Sequence, residues 1–187
     1  YVCADIEQIP LKQESIGLIW SNLALQWCND LEHTFAEMHR VLRIDGLLMF
    51  STFGPDTLKE LRQSFAQADS SSHVNHFVDM HDIGDLLLHN GFAEPVMDME
   101  YITMTYSDVL NIMRDLKSIG AHNVTQGRQS GLMGKVAWRK ALSAYDKLRI
   151  DGKYPVTFEV IYGHAWKPPS RKSVLTPETR RQLGLID

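Results

Sequence analysis

Cysteine is almost absent from this chain. Cys3 and Cys28 are the only two among 187 residues. That excludes a disulfide framework and a cysteine-rich zinc site, and it fits a reducing compartment such as the cytoplasm. No apolar run approaches the ~18 residues that an ordinary membrane helix needs. The chain opens at Tyr1 with neither a charged leader nor a cleavage pattern. No signal peptide is therefore expected, and the chain is expected to start inside a longer protein. GxGxxG, P-loop and GxSxG patterns are missing as well. A complete nucleotide-binding α/β domain would show a glycine-rich first turn. Either no nucleotide binds, or the first βα unit lies outside these residues; the start at Tyr1 favours the second reading.

What is present suits one globular domain. Apolar residues make up 44% and charged residues 22%, enough for a core and too apolar for disorder. The net charge of −4 is unevenly spread. Residues 1–113 carry a net −12, residues 114–153 a net +6, and the remainder +2. An acidic body thus carries a basic segment. It is either a solvated helical face or a dock for an acidic partner.

Ile16-Gly17-Leu18-Ile19-Trp20 reads as a strand buried on both faces, as in a parallel sheet. A helix follows, capped by Asp30, with Leu31, Phe35, Met38 and Leu42 on one face and Asp45-Gly46 as its stop. Leu47-Leu48-Met49-Phe50 is a second buried strand. Strand, helix and strand imply a parallel pair with a right-handed crossover. Residues 1–5 look like the tail of an earlier strand. Thr57 and Glu60 have capping-box spacing before a helix carrying Leu58, Leu61 and Phe65, which Ser70-Ser71-Ser72 breaks. Further helices are expected over 82–90, closed by Gly91, over 108–119 with Val109, Met113 and Leu116 inward, and over 132–149 with Val136, Leu142 and Tyr145 inward. A strand within 92–106 should pair antiparallel with one in which Val156, Phe158, Val160, Tyr162, His164 and Trp166 alternate.

In open α/β sheets ligands bind at the carboxyl ends of strands. Three such ends are visible: Asp5-Ile6-Glu7, Ser21-Asn22 and Ser51-Thr52. An acidic residue there can accept hydrogen bonds from a ribose or an adenine amino group; a solvated loop carboxylate is the alternative. His73, Asn75, His76, Asp79, His81 and Asp82 cluster, but their spacing matches neither HExxH nor a zinc ligand pair followed by cysteine. A substrate-lining loop, or packing and capping, suits them better, and no metal is expected. Cys28 precedes a helix cap, yet no base accompanies it, so it reads as structural.

Three of these motifs, Asp5-Ile6-Glu7-Gln8-Ile9-Pro10-Leu11, Ser21-Asn22-Leu23-Ala24-Leu25-Gln26-Trp27 and Arg40-Val41-Leu42-Arg43 with Asp45-Gly46, resemble class I S-adenosylmethionine-dependent methyltransferases. Thr57-Leu58-Lys59-Glu60-Leu61-Arg62, His73-Val74-Asn75, Leu116-Lys117-Ser118-Ile119-Gly120-Ala121 and Tyr162-Gly163-His164-Ala165-Trp166-Lys167 are similar, more narrowly, to the malonyl-acyl-carrier-protein O-methyltransferases of biotin synthesis. The resemblance covers residues 1–167. It implies an α/β, Rossmann-like, N-terminally truncated methyltransferase core over 1–106 and 154–167, a helical lid insertion over 107–153 and a peripheral tail over 168–187. It implies S-adenosylmethionine as cofactor, with Asp5 and Ile6 at the adenine edge and Asn22 beside the sulfonium. The family's glycine-rich loop and the ribose-binding acid after its second strand are not in this sequence, so the 187 residues alone should bind cofactor weakly.

The implied substrate is a malonyl thioester, whose free carboxylate is already ionised near neutral pH and needs no general base. His73 and Asn75 are the candidates to hold it, with Arg128 as a charge partner. Lys135, Arg139 and Lys140 share a helical face in the basic segment and suit an acidic carrier protein; no nucleic-acid or membrane partner is expected. Two alternatives stand beside this reading. Mitochondrial arginine methyltransferases of complex I assembly look similar through much of the chain, but an arginine substrate calls for extra acids. A non-catalytic assembly module of the same fold has only the missing glycine-rich turn in its favour.

Overall fold

A computed structural model describes residues 2–68, 74–118 and 134–169. The elements run β1 (Ile16–Asn22), a short 3-10 turn (Leu25–Trp27), α1 (Leu31–Val41), β2 (Leu42–Phe53), α2 (Lys59–Ala66), α3 (Met80–His89), β3 (Ala93–Tyr106), α4 (Val109–Ser118), α5 (Lys135–Asp146) and β4 (Tyr154–Trp166). The four strands form one sheet in the order β1-β2-β4-β3. β1 and β2 are parallel, with Trp20 opposite Met49 and Asn22 opposite Ser51. β4 runs antiparallel to both neighbours. The expected parallel pair and the expected antiparallel pair are both present.

α1 forms where the pattern places it. Asp30 accepts the His33 amide at 2.9 Å, satisfying one of the helix's orphan donors. Its apolar stripe, Phe35, Met38 and Val41, is buried against the sheet, with Phe35 and Phe50 rings 5.9 Å apart. Ile83 and Leu87 of α3 and Ile161 and Ala165 of β4 complete this core. A second core gathers Leu61 and Phe65 of α2, Val109 and Ile112 of α4, Ala141 and Tyr145 of α5, and Val156 of β4. The segment between the paired strands β3 and β4 therefore shares a core with α2.

Several local expectations are corrected. Residues 2–5 form no strand; Asp5 and Gln8 close a turn instead, with the Gln8 amide donating to the Asp5 carbonyl at 3.1 Å. α1 stops at Val41, not at Gly46. Residues 43–46 bulge out of the β1–β2 ladder, with Asp45 in the left-handed region at φ 58°. α3 starts at Met80 rather than at Asp82, because Asp79 supplies the cap by accepting the His81 amide. Thr57 and Glu60 do not cap α2: its N-cap is Leu58 at φ 57°, and both polar side chains turn inward to β4. Val136 is 69% exposed, since it lies on the face of α5 away from Ala141 and Tyr145. The alternating set in β4 keeps to one face, but that face is covered at Val156 and Val160 and open toward the end of the strand. Ile161, Gly163 and Ala165 face the core, and Tyr162 and Trp166 are exposed. The break at Ser70-Ser71-Ser72, residues His73 and Arg128, the helical residues expected at 119 and 132–133, and the tail beyond 169 lie outside the described residues.

Candidate functional site

One face of the sheet, reaching the carboxyl end of β1 at Asn22, carries a groove of about 310 Å3, lined by Trp20, Asn22, Met49, Ser51, Tyr162 and His164 among others. Alternation explains the set, because these residues share one face of three adjacent strands. The strand-end turn is tightly hydrogen-bonded. The Ser51 hydroxyl donates to Asn22 Oδ1 at 2.6 Å and accepts the Leu23 amide at 3.1 Å. Leu23 takes a left-handed φ of 48°, and Gln26 Nε2 donates to its carbonyl at 2.6 Å. Asn22 is thus held by its oxygen, and its amide nitrogen can only donate.

The segment 5–11 is pinned differently. Asp5 is exposed and accepts the Glu7 amide at 2.9 Å. Glu7 in turn accepts the Asn29 and Asp30 amides just ahead of α1. Ile6 packs against the first core. Arg40 donates to the carbonyls of Ile9 and Leu11 at 2.8 and 2.9 Å while paired with Glu37 at 2.7 Å. That pairing, chiefly its hydrogen bond, lowers the Glu37 carboxyl below its ordinary range. Asp5 and Ile6 are not among the residues that line the groove at Asn22. Asn75 is half-buried near Val74 and Phe77 of the second core.

Ser51, Gln26, Tyr162 and His164 were not singled out individually by sequence. Ser51 lay in the Ser51-Thr52 strand end, and Gln26, Tyr162 and His164 within motifs that carry the family resemblance. Bringing Tyr162 and His164 beside Ser51 and Met49 depends on strand register, which no local pattern states. Cys28 is half-buried, and burial raises its thiol pKa, keeping it protonated near neutrality. This agrees with a structural role.

A second concavity, of about 490 Å3, lies between the end of α2 and the exposed face of α5. Gln67, Val136, Arg139, Lys140, Ser143 and Lys147 line it. Lys135 is exposed on the same helix but falls outside the groove, and Lys147 joins it instead.

The sheet order, the parallel β1–β2 unit and the strand-end groove define the fold of a class I methyltransferase. Residues 1–50 match the family described as Methyltransferase domain. A Bacillus halodurans protein described as a methyltransferase superposes with a TM-score of 0.56 at 18% identity, over 89% of this chain and 70% of that one. At that identity the likeness establishes the fold.

Sequence similarity is closer. The malonyl-acyl-carrier protein O-methyltransferase of Nitrosospira multiformis is 68% identical over 185 residues, 99% of this chain and 60% of the relative. That of Gallionella capsiferriformans is 65% identical over 170 residues, 91% of this chain and 59% of the relative. The chain thus has the fold of the class I methyltransferases, and in sequence it is similar to these malonyl-acyl-carrier protein O-methyltransferases. It spans about 60% of the length of these curated relatives. Among the described residues, no helix is long and apolar enough to cross a membrane.

Proposed function

We propose that this protein transfers a methyl group from S-adenosylmethionine to the free carboxylate of malonyl-acyl-carrier protein, an early step of biotin synthesis. The observation that carries the reading is the 68% identity, over nearly the whole chain, to a malonyl-acyl-carrier protein O-methyltransferase. When bound, the cofactor supplies an electrophilic methyl on its sulfonium. The residues present fit part of it. Asn22 offers an amide donor at a strand end, its oxygen fixed by Ser51. Asp5 offers an exposed carboxylate of which one oxygen accepts the Glu7 amide, and Ile6 supports the turn from the core side.

The chemistry asked of the chain is modest. A malonyl carboxylate is ionised near neutral pH, so no general base has to be built. The carboxylate must be aligned in line with the methyl, and alignment supplies most of the rate. His73 and Asn75 hold one carboxylate oxygen in this proposal, Arg128 balances its charge, and the 107–153 segment covers the substrate. An arginine substrate would need added carboxylates in the groove, where Asp98 is the single acidic lining residue among the described residues.

The test is methyl transfer by the protein as encoded, using isotopically labelled cofactor and malonyl-acyl-carrier protein. A base-labile methyl ester is expected, with transfer reduced by His73→Ala more than cofactor binding is. Methylation of an arginine peptide, with no ester formed on the carrier, would refute the reading.

A further inference from the structure

We infer that the exposed face of α5 is the docking surface for the acidic carrier protein, with Arg139, Lys140 and Lys147 as its cationic contacts and Gln67 and Ser143 as its polar floor. The inference rests on the function proposed above and names where the partner sits. Helical geometry places these residues together. At ~100° per residue, Lys140, Ser143 and Lys147 fall within about a sixth of a turn, with Val136 between them and Arg139 on the flank. Ala141 and Tyr145 occupy the opposite side and are 1% exposed, which fixes the rotation of the helix. The cations therefore face outward because the core leaves them no other direction.

Three further observations favour a protein partner with concentrated negative charge. First, no salt bridge among the described residues involves Arg139, Lys140 or Lys147. Asp146, the only acid on α5, is engaged elsewhere, accepting the Tyr154 hydroxyl at 2.8 Å and lying 4.0 Å from Arg149. Second, the surface is concave, bounded on its far side by Gln67 at the end of α2. It can seat a helix or loop rather than merely attract ions. Third, residues 1–113 carry a net −12. A nucleic acid or an anionic membrane needs a broad basic surface and would be repelled by that body. A small acidic protein touching only α5 would not.

Charges of this kind act mainly on association and are weakened by salt. The test compares the encoded protein with its Arg139→Glu/Lys140→Glu and Lys147→Glu variants on two substrates, malonyl-acyl-carrier protein and a short uncharged malonyl thioester. Lys135→Glu, a charge reversal outside the groove, is the control. At low salt the double variant should lose about tenfold or more in kcat/KM for the carrier substrate, through KM. The short thioester should change less than about twofold, and Lys135→Glu should have the smaller effect on the carrier substrate. The deficit should shrink as salt rises, because the wild type is then screened as well.

Equal loss on both substrates, loss on neither, or a Lys135→Glu defect as large as the double variant's overturns the docking surface while leaving the proposed function intact. A wild type that methylates neither substrate overturns the proposed function, and the docking surface with it. Binding of duplex DNA or anionic vesicles that the same reversals abolish, with carrier kinetics unchanged, would assign the groove to a different partner.

Discussion

The contact between Glu60 and Thr157 is a sharp test of how α2 is held to the sheet. β2 stops pairing with β4 at Phe53, opposite Val160. Beyond that point β4 continues inward, and its buried backbone groups need other partners. The chain after β2 supplies them. The Gly54 amide donates to the Glu159 carbonyl at 2.9 Å and the Leu58 amide to the Thr157 carbonyl at 2.7 Å. The Glu60 carboxylate completes the edge by accepting the Thr157 amide at 3.0 Å and, through its other oxygen, the Thr157 hydroxyl. Glu60 is 8% exposed and Thr157 5%, so water cannot replace either partner.

Glu60→Ala leaves two buried donors unpaired, at about 1–3 kcal/mol each, for about 4 kcal/mol in all. That is a large share of a typical domain stability of about 5–15 kcal/mol. Thr157→Val keeps the side-chain shape and the amide bond and removes one hydrogen bond to a charged group, for about 1.5–3 kcal/mol. Glu60→Gln keeps an acceptor for the amide and lets the hydroxyl reorient, so about 1 kcal/mol is expected. Urea denaturation at constant m-value measures each variant. The double variant should cost less than the sum of the two singles, because the hydroxyl bond is lost only once. If Glu60→Ala falls within about 0.5 kcal/mol of wild type, or if the cycle is additive, the carboxylate does not close the strand edge and the reasoning fails.

Other outcomes are expected elsewhere. Gly163→Ala should cost at least about 1–3 kcal/mol, because its Cβ would lie 2.3 Å from Phe50 Cζ and 2.9 Å from Met97 Sδ in the middle of the sheet; a thermal melt unchanged from wild type contradicts that packing. His39 has its pKa lowered by burial and then by the nearby Lys167, against smaller opposing effects of Gly91 and Glu14. The unfolded chain therefore binds the proton more readily, and stability should fall as pH drops through ~6.5, levelling below the depressed folded value. His39→Gln should flatten that limb in melts from pH 8 to 5, and an unchanged slope would remove His39 from the acid response. Asn22→Ala and Asp5→Ala should each weaken S-adenosylmethionine binding, Asn22→Ala by about tenfold for one lost hydrogen bond. Calorimetry on the encoded protein decides this, and unchanged affinity in both variants would move the cofactor away from both residues.

The sequence by itself determined the elements whose signals are local. The apolar run at Ile16–Trp20, the Asp30 cap and the Leu31–Val41 stripe specified a βαβ unit, because period and capping are set within a few residues. The clustering of basic residues after Met113 was likewise readable from composition, and so was the family likeness carried by short motifs. Only the tertiary structure decided which partners satisfied the polar groups. Thr57 and Glu60 had the spacing of a capping box, yet an unpaired buried strand edge about a hundred residues away offered them a stronger demand. Val136 satisfied the apolar pattern and still faced outward, because Ala141 and Tyr145 fixed the rotation of α5. The groove at Asn22 depended on the register of Trp20 with Met49 and of Ser51 with Tyr162. Register follows from the whole buried face of a sheet rather than from any one strand, so no stretch of sequence could state it alone.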